Sequence, residues 1–239
     1  MRLLVSVVDA EEARDAAGAG ADIVDVKNPA EGSLGAPSPA VIADVRAAVP
    51  DELPVSAAIG DMPNLPGTAA LAALGAARSG AAYVKVGLWG ATTEVEAVEV
   101  LRAVREAARG AGTVAAAYAD ARRVAHRPLA PELLPRVAHA AGVEVCLLDT
   151  AVKDGRGLLE WLSPDALATL VDEAHELGLE VALAGALRAE DLPVVAATGA
   201  DIAGVRSAAC ADSRRSARLE PARVRALRAG CAAMPRLSR

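Results

Sequence analysis

The chain has 239 residues, 53% of them apolar, and a formal net charge of −6. That is enough apolar material for a sizeable α/β core, and the acidic balance excludes a nucleic-acid surface, which needs a basic stripe. No stretch of membrane-spanning length is free of a charge or glycine break, and the start "MRLLVSVVDAEE" reads as a first strand rather than a leader.

Short apolar runs recur along the chain at 3–8, 23–26, 55–59, 83–88, 114–118, 143–148, 179–184 and 202–205. Each reads as a strand, and Ala-rich amphipathic stretches of helical length separate most of them. Five units open alike: "GADIVDVK", "GAAYVKVG", "GVEVCLLD", "GLEVALAG" and "GADIAGVR". The leading glycine marks a helix end, where a left-handed residue is needed, and the strand follows at once. Eight strand–helix units in 239 residues match a (β/α)8 TIM barrel, whose usual size is roughly 250 residues, as a single α/β domain over 1–239. A doubly wound sheet is the alternative fold, but the first strand lacks the Gly-rich turn that would follow it there. From about 211 the chain is rich in arginine (Arg214, Arg215, Arg218, Arg223, Arg225, Arg228), which reads as a basic tail with a solvated helix face.

The cysteines (Cys146, Cys210, Cys231) show no metal-ligand spacing and suit free or buried thiols of a reducing cytoplasm. The histidines (His126, His139, His175) are scattered through helix-like stretches, none beside a second ligand. No metal site and no nucleotide motif is visible, so no cofactor is expected.

Lysine is rare. The chain has Lys27, Lys85 and Lys153 against 22 arginines. Lys27 ends the second predicted strand, Lys85 lies in the fourth, and Lys153 follows the sixth. In a barrel of this kind, strand ends and the loops after them carry the chemistry. Arginine cannot replace lysine there, because a guanidinium stays protonated and is no amine nucleophile. A desolvated lysine crowded by other cations loses its proton and can attack a carbonyl to form a Schiff base. Asp25 lies two residues before Lys27, on the same side of the strand, and Asp149 precedes Lys153. Both suit general acid/base work beside an imine. Asp61 and Asp120 also end strands, and each equally suits a helix N-cap. Small residues after the seventh strand (Gly185, Ala186) and the eighth (Gly204, Ser207) expose backbone N–H groups at the usual phosphate position of barrels. Arg206 is a candidate phosphate partner there, or the partner of an acid in the barrel.

The motifs "DVKNPAEGSLGAP", "VSAAIGDMPNLPGT", "YVKVGLWG", "YADARRV", "LLDTAVKDG" and "DIAGVRSAAC" together resemble the (5-formylfuran-3-yl)methyl phosphate synthase family. The likeness runs from residue 1 to about 228. It implies a class I aldolase-like barrel that condenses two glyceraldehyde 3-phosphate molecules into the furan phosphate of methanofuran biosynthesis, losing one phosphate and two waters. It also implies that Lys27 forms the Schiff base, that Lys85 and Lys153 are the other catalytic lysines, and that Asp25 and Asp149 assist. Ser207 departs from the family's Gly, and the arginine-rich end is unlike the family. The residues taken alone also allow a class I aldolase for another small sugar phosphate, and a non-catalytic sugar-phosphate-binding barrel. The expected partners are a triose phosphate and copies of the chain itself, joined through the Ala-rich helices, with neither nucleic acid nor membrane.

Overall fold

The computed structural model describes residues 1–232. Eight parallel strands close into a barrel in sequence order: β1 Arg2–Val7, β2 Ile23–Val26, β3 Val55–Asp61, β4 Tyr83–Gly87, β5 Gly112–Tyr118, β6 Val145–Asp149, β7 Glu180–Leu183 and β8 Ile202–Val205. Closure comes from β1 pairing with β8, Leu4 opposite Gly204. The connecting helices are α1 Ala10–Gly18, α2 Pro39–Ala48, α3 Pro66–Arg78, α4 Glu94–Ala107, α5 Leu134–Ala141, α6 Pro164–Glu176, α7 Leu192–Ala197 and α8 Pro221–Ala232. This is the single (β/α)8 barrel expected from the repeating units.

Local chemistry sets the boundaries. Asp9, Ser38, Thr93 and Ser163 each cap a helix by accepting a backbone N–H with the side chain. The glycines that open the five repeated units (Gly20, Gly80, Gly142, Gly178, Gly199) all have positive φ, as a residue turning out of a helix requires. The core has two parts. One is the shell between strands and helices, built mostly of Val, Leu and Ala. The other is the barrel interior, where Ile23, Ala58, Val114, Ala116, Val145, Leu147, Ala182 and Ile202 pack below the mouth. With no Phe in the chain, the interior is filled by modest side chains, and the polar residues above them form a distinct upper layer.

The arginine-rich segment is not a tail within the described residues. It contains α8, the last helix of the barrel, which buries Val224, Leu227 and Cys231. Arg218 pairs with Asp9 and Glu11, and Arg228 with Asp22. Residues 233–239 of that segment lie outside the described part.

Candidate active site

The alternation of side chains along each strand turns Asp25, Lys85 and Asp149 into the barrel lumen. They line one cavity at the C-terminal mouth with Lys27, Lys153, Gly185, Ala186, Gly204, Arg206 and Ser207. All ten site residues expected from the sequence thus border a single space. Their pairing is less symmetrical than their spacing. Asp25 and Lys85 are both buried, and the Lys85 ammonium sits 2.7 Å from each oxygen of the Asp25 carboxylate. Ser6 Oγ also donates to Asp25, at 2.9 Å. Lys153 Nζ donates to Asp149 at 2.8 Å and to Thr150 Oγ1 at 3.2 Å. Lys27 follows the last residue of β2, held in line by its N–H to Val7 O. It is 7% exposed, and among the described residues no carboxylate lies within ion-pairing distance of its amine.

The electrostatics follow from that arrangement. Burial lowers the Lys27 pKa from 10.5 to about 8; Asp149 and Asp25 oppose the drop, and Lys85 and Lys153 add to it. At neutral pH roughly one Lys27 amine in ten is then uncharged, against about one in three thousand for an ordinary lysine. Asp149 goes the other way. Burial would raise its pKa, but Lys153, Lys27 and the Thr150 N–H hold it down to about 2. The site therefore keeps a carboxylate ionised next to an amine that is partly neutral.

Asp61 and Asp120 cap no helix with their side chains. Asp61 accepts the Ser33 N–H at 2.8 Å and the Tyr118 hydroxyl at 2.5 Å, fixing the loop after β2. Asp120 accepts the N–H groups of Ala151 and Val152 at 2.6 and 2.9 Å, fixing the loop that carries Lys153. Ser33 Oγ donates to Thr150 O, which joins the two loops over the mouth.

Gly185 and Ala186 both have positive φ and sit against the β6 loop; a Cβ on Gly185 would come within 3.1 Å of Thr150 N. Arg206 is not available as a phosphate partner. Its guanidinium donates to both oxygens of Glu12 and to the carbonyls of Ser6, Arg215 and Ala217. All five N–H groups are thereby used, so the arginine braces the loop after β8. Of its two readings in the sequence, pairing with an acid in the barrel is the one found. Ser207 lines the cavity beside it.

Arg215, Arg156 and Ser6 also border the cavity and were not singled out in the sequence. Arg156 stacks on Trp161 with 4.4 Å to the ring centroid and pairs with Asp154. Arg215 lies among similar arginines in an apparent tail, so its sequence carries no signal. Ser6 alternates inward along β1, which period-two counting could have found. The histidines lie elsewhere: His126 and His139 contact backbone carbonyls, and His175 pairs with Asp201. Among the described residues no group of three or more His, Cys, Asp or Glu side chains is placed to hold a metal ion, and no helix is long and apolar enough to cross a membrane.

Fold and site together define a (β/α)8-barrel enzyme with a lysine–aspartate centre at its C-terminal mouth. More particularly, the chain belongs to the 4-HFC-P synthase family, whose sequence profile matches residues 3–228. It is 48% identical over 236 residues to the (5-formylfuran-3-yl)methyl phosphate synthase of Methanocaldococcus jannaschii, covering 97% of this chain and 100% of the relative. It is 54% identical over 213 residues to the enzyme of that name from Methanopyrus kandleri, covering 87% and 89%. Among solved structures, 3-hexulose-6-phosphate synthase from Salmonella typhimurium superposes with a TM-score of 0.67 at 19% identity, covering 97% of this chain and 99% of that one. The phosphoribosyl anthranilate isomerase of Thermus thermophilus gives 0.61 at 17%, covering 97% and 98%. At those identities the likeness is one of fold alone.

Proposed function

We propose that this enzyme condenses two molecules of glyceraldehyde 3-phosphate into (5-formylfuran-3-yl)methyl phosphate through a Schiff base on Lys27. One observation carries the choice of lysine: Lys85 and Lys153 are each ion-paired to a carboxylate, and Lys27 is buried without one. An amine free of a carboxylate and short of solvent is the one that can be neutral and attack. The names of the curated relatives support the product.

In this reading the Lys27 amine adds to the carbonyl of one triose phosphate and water leaves, giving the imine. Loss of a proton from the adjacent carbon gives an enamine, whose electron pair forms the new C–C bond to the aldehyde of the second triose. Asp149 is ionised and close to Lys27, so it suits the proton transfers, with Lys153 returning a proton to oxygen. Burial makes the Lys27 proton hard to hold and the Lys85 charge adds to that, while its partner Asp25 works against it. Ring closure by a hydroxyl, loss of phosphate, two dehydrations that aromatise the ring and hydrolysis of the imine complete the sequence. Two C3 units give one C6 furan, one phosphate and a net two waters, with no net oxidation. The backbone N–H groups of Gly185, Ala186 and Ser207 are the phosphate-binding set.

The same reading includes a second copy of the chain as partner. Helix α3 has no charged residue before Arg78 and exposes Leu71 and Leu74, by 74% and 42%, beside Leu65 and Val95. A two-fold contact through this face would cover that apolar centre.

The test is direct. Purified protein is mixed with glyceraldehyde 3-phosphate and the furan aldehyde phosphate is sought by mass spectrometry, with borohydride added to parallel samples. The furan and a reduced adduct on Lys27 are expected. An open-chain aldol product alone would move the function to another imine-forming aldolase.

A further inference from the structure

The proposed reaction brings two phosphates into one cavity, and the Gly185–Ala186 turn with Ser207 accounts for one. The cations bordering the cavity are mostly neutralised. Lys85, Lys153, Arg156 and Arg206 each hold a carboxylate. Arg215 does not. Its guanidinium donates to the carbonyl of Gly32 at 2.9 Å, and among the described residues no carboxylate lies within ion-pairing distance of it. One hydrogen bond to a carbonyl leaves most of its donor fork uncommitted.

Its position is built rather than accidental. The Arg215 carbonyl accepts from Arg206 Nε at 2.9 Å, and Arg206 is locked to Glu12 of α1. The segment before α8 is thereby tied down over the start of α1, and Arg215 reaches from it to the loop after β2. Half-buried, it feels the charges of Asp149 and Asp61. The Gly185–Ala186 turn rests instead on the loop after β6, where Leu158 N–H bonds to Gly185 O. Gly185 and Ala186 follow β7 and Ser207 follows β8, whereas Arg215 reaches the loop after β2, three places from β7 and two from β8 in the closed sheet, so the two donor sets belong to different sectors of the mouth. Lys27, at the end of β2, faces the space between them.

Building on the reaction proposed above, we infer that Arg215 forms a second phosphate subsite, which binds the phosphate of the second triose. The first triose phosphate is anchored at the β7–β8 side and joined to Lys27 as its imine. The second is held by Arg215 with its aldehyde turned toward the enamine carbon. A bidentate guanidinium suits a phosphate dianion on geometric grounds, and an arginine poised on one carbonyl is already extended for it.

The experiment compares wild type with Arg215→Gln, which keeps a donor for Gly32 O and loses the charge, and with Arg215→Lys. Furan formation from glyceraldehyde 3-phosphate and borohydride trapping of the first triose on Lys27 are measured separately, with circular dichroism to verify folding. The expected result for Arg215→Gln is trapping within about twofold of wild type and furan formation down at least about 30-fold, the size of a lost charge-assisted hydrogen bond. Arg215→Lys should recover part of that loss. Furan formation within about twofold of wild type in Arg215→Gln overturns the inference. So does an equal loss of trapping and furan formation in a folded variant, which would place Arg215 on the first triose. Absence of furan from wild type itself would sink the reaction, and that outcome is read independently of either variant.

Discussion

Replacing Lys27 with Met should abolish imine formation and, at pH 7, make the protein more stable. The drop of the Lys27 pKa from 10.5 to about 8 is the net cost of holding its proton in the folded chain, and it corresponds to about 3 kcal/mol. Between those two values the unfolded chain holds the proton and the folded chain does not, so stability rises with pH through the window. Below about pH 8 the full cost is present; above 10.5 it has gone. Lys27→Met removes the charge and with it the cost. Urea unfolding should therefore find the variant about 3 kcal/mol more stable than wild type at pH 7, and less than about 1 kcal/mol more stable at pH 10. Better packing of the Met side chain would add a gain independent of pH, which the two measurements separate. Equal stabilities at pH 7, or an advantage unchanged at pH 10, would refute the claim that Lys27 is desolvated and unpaired. The gain has the sign of a site that gives up stability for chemistry.

Three further outcomes test the surroundings of that amine. Lys85→Met leaves the Asp25 carboxylate buried without its counter-charge and should cost about 3–5 kcal/mol, most of it recovered in the double variant with Asp25→Asn; a double variant no more stable than the single would show that the pair is not the source of the loss. Asp120→Asn weakens the clamp on Ala151 and Val152, so the Lys153 loop should loosen and furan turnover fall by about tenfold, with Lys27 trapping nearly unchanged; a matching loss of trapping would contradict a role confined to that loop. Leu71→Glu places a charge in the α3 face and should halve the molar mass seen by light scattering, with folding retained; wild type that is already monomeric, or a variant that stays associated, would remove α3 as the contact.

The sequence by itself determined the frame. Glycines with a left-handed need, caps and period-two apolar runs are local signals, and they were enough to count eight units and to set Lys27, Lys85 and Lys153 at the mouth. The alternation along a strand likewise put Asp25 on the same side of its strand as Lys27. What only the tertiary structure decided is who pairs with whom. Asp25 sits two residues from Lys27 in sequence, yet its carboxylate is bound to Lys85, because β2 and β4 flank β3 and both turn these side chains into the lumen, 2.7 Å apart. Arg206 stands in the loop expected to hold phosphate, yet Glu12, almost the whole chain away, uses its guanidinium. Arg215, indistinct among its neighbours in the sequence, is carried into the mouth by the same bracing. Strand periodicity gives the direction of a side chain but not the distance to a charge on another strand, and at this site that distance separates the lysine free to react from those already paired.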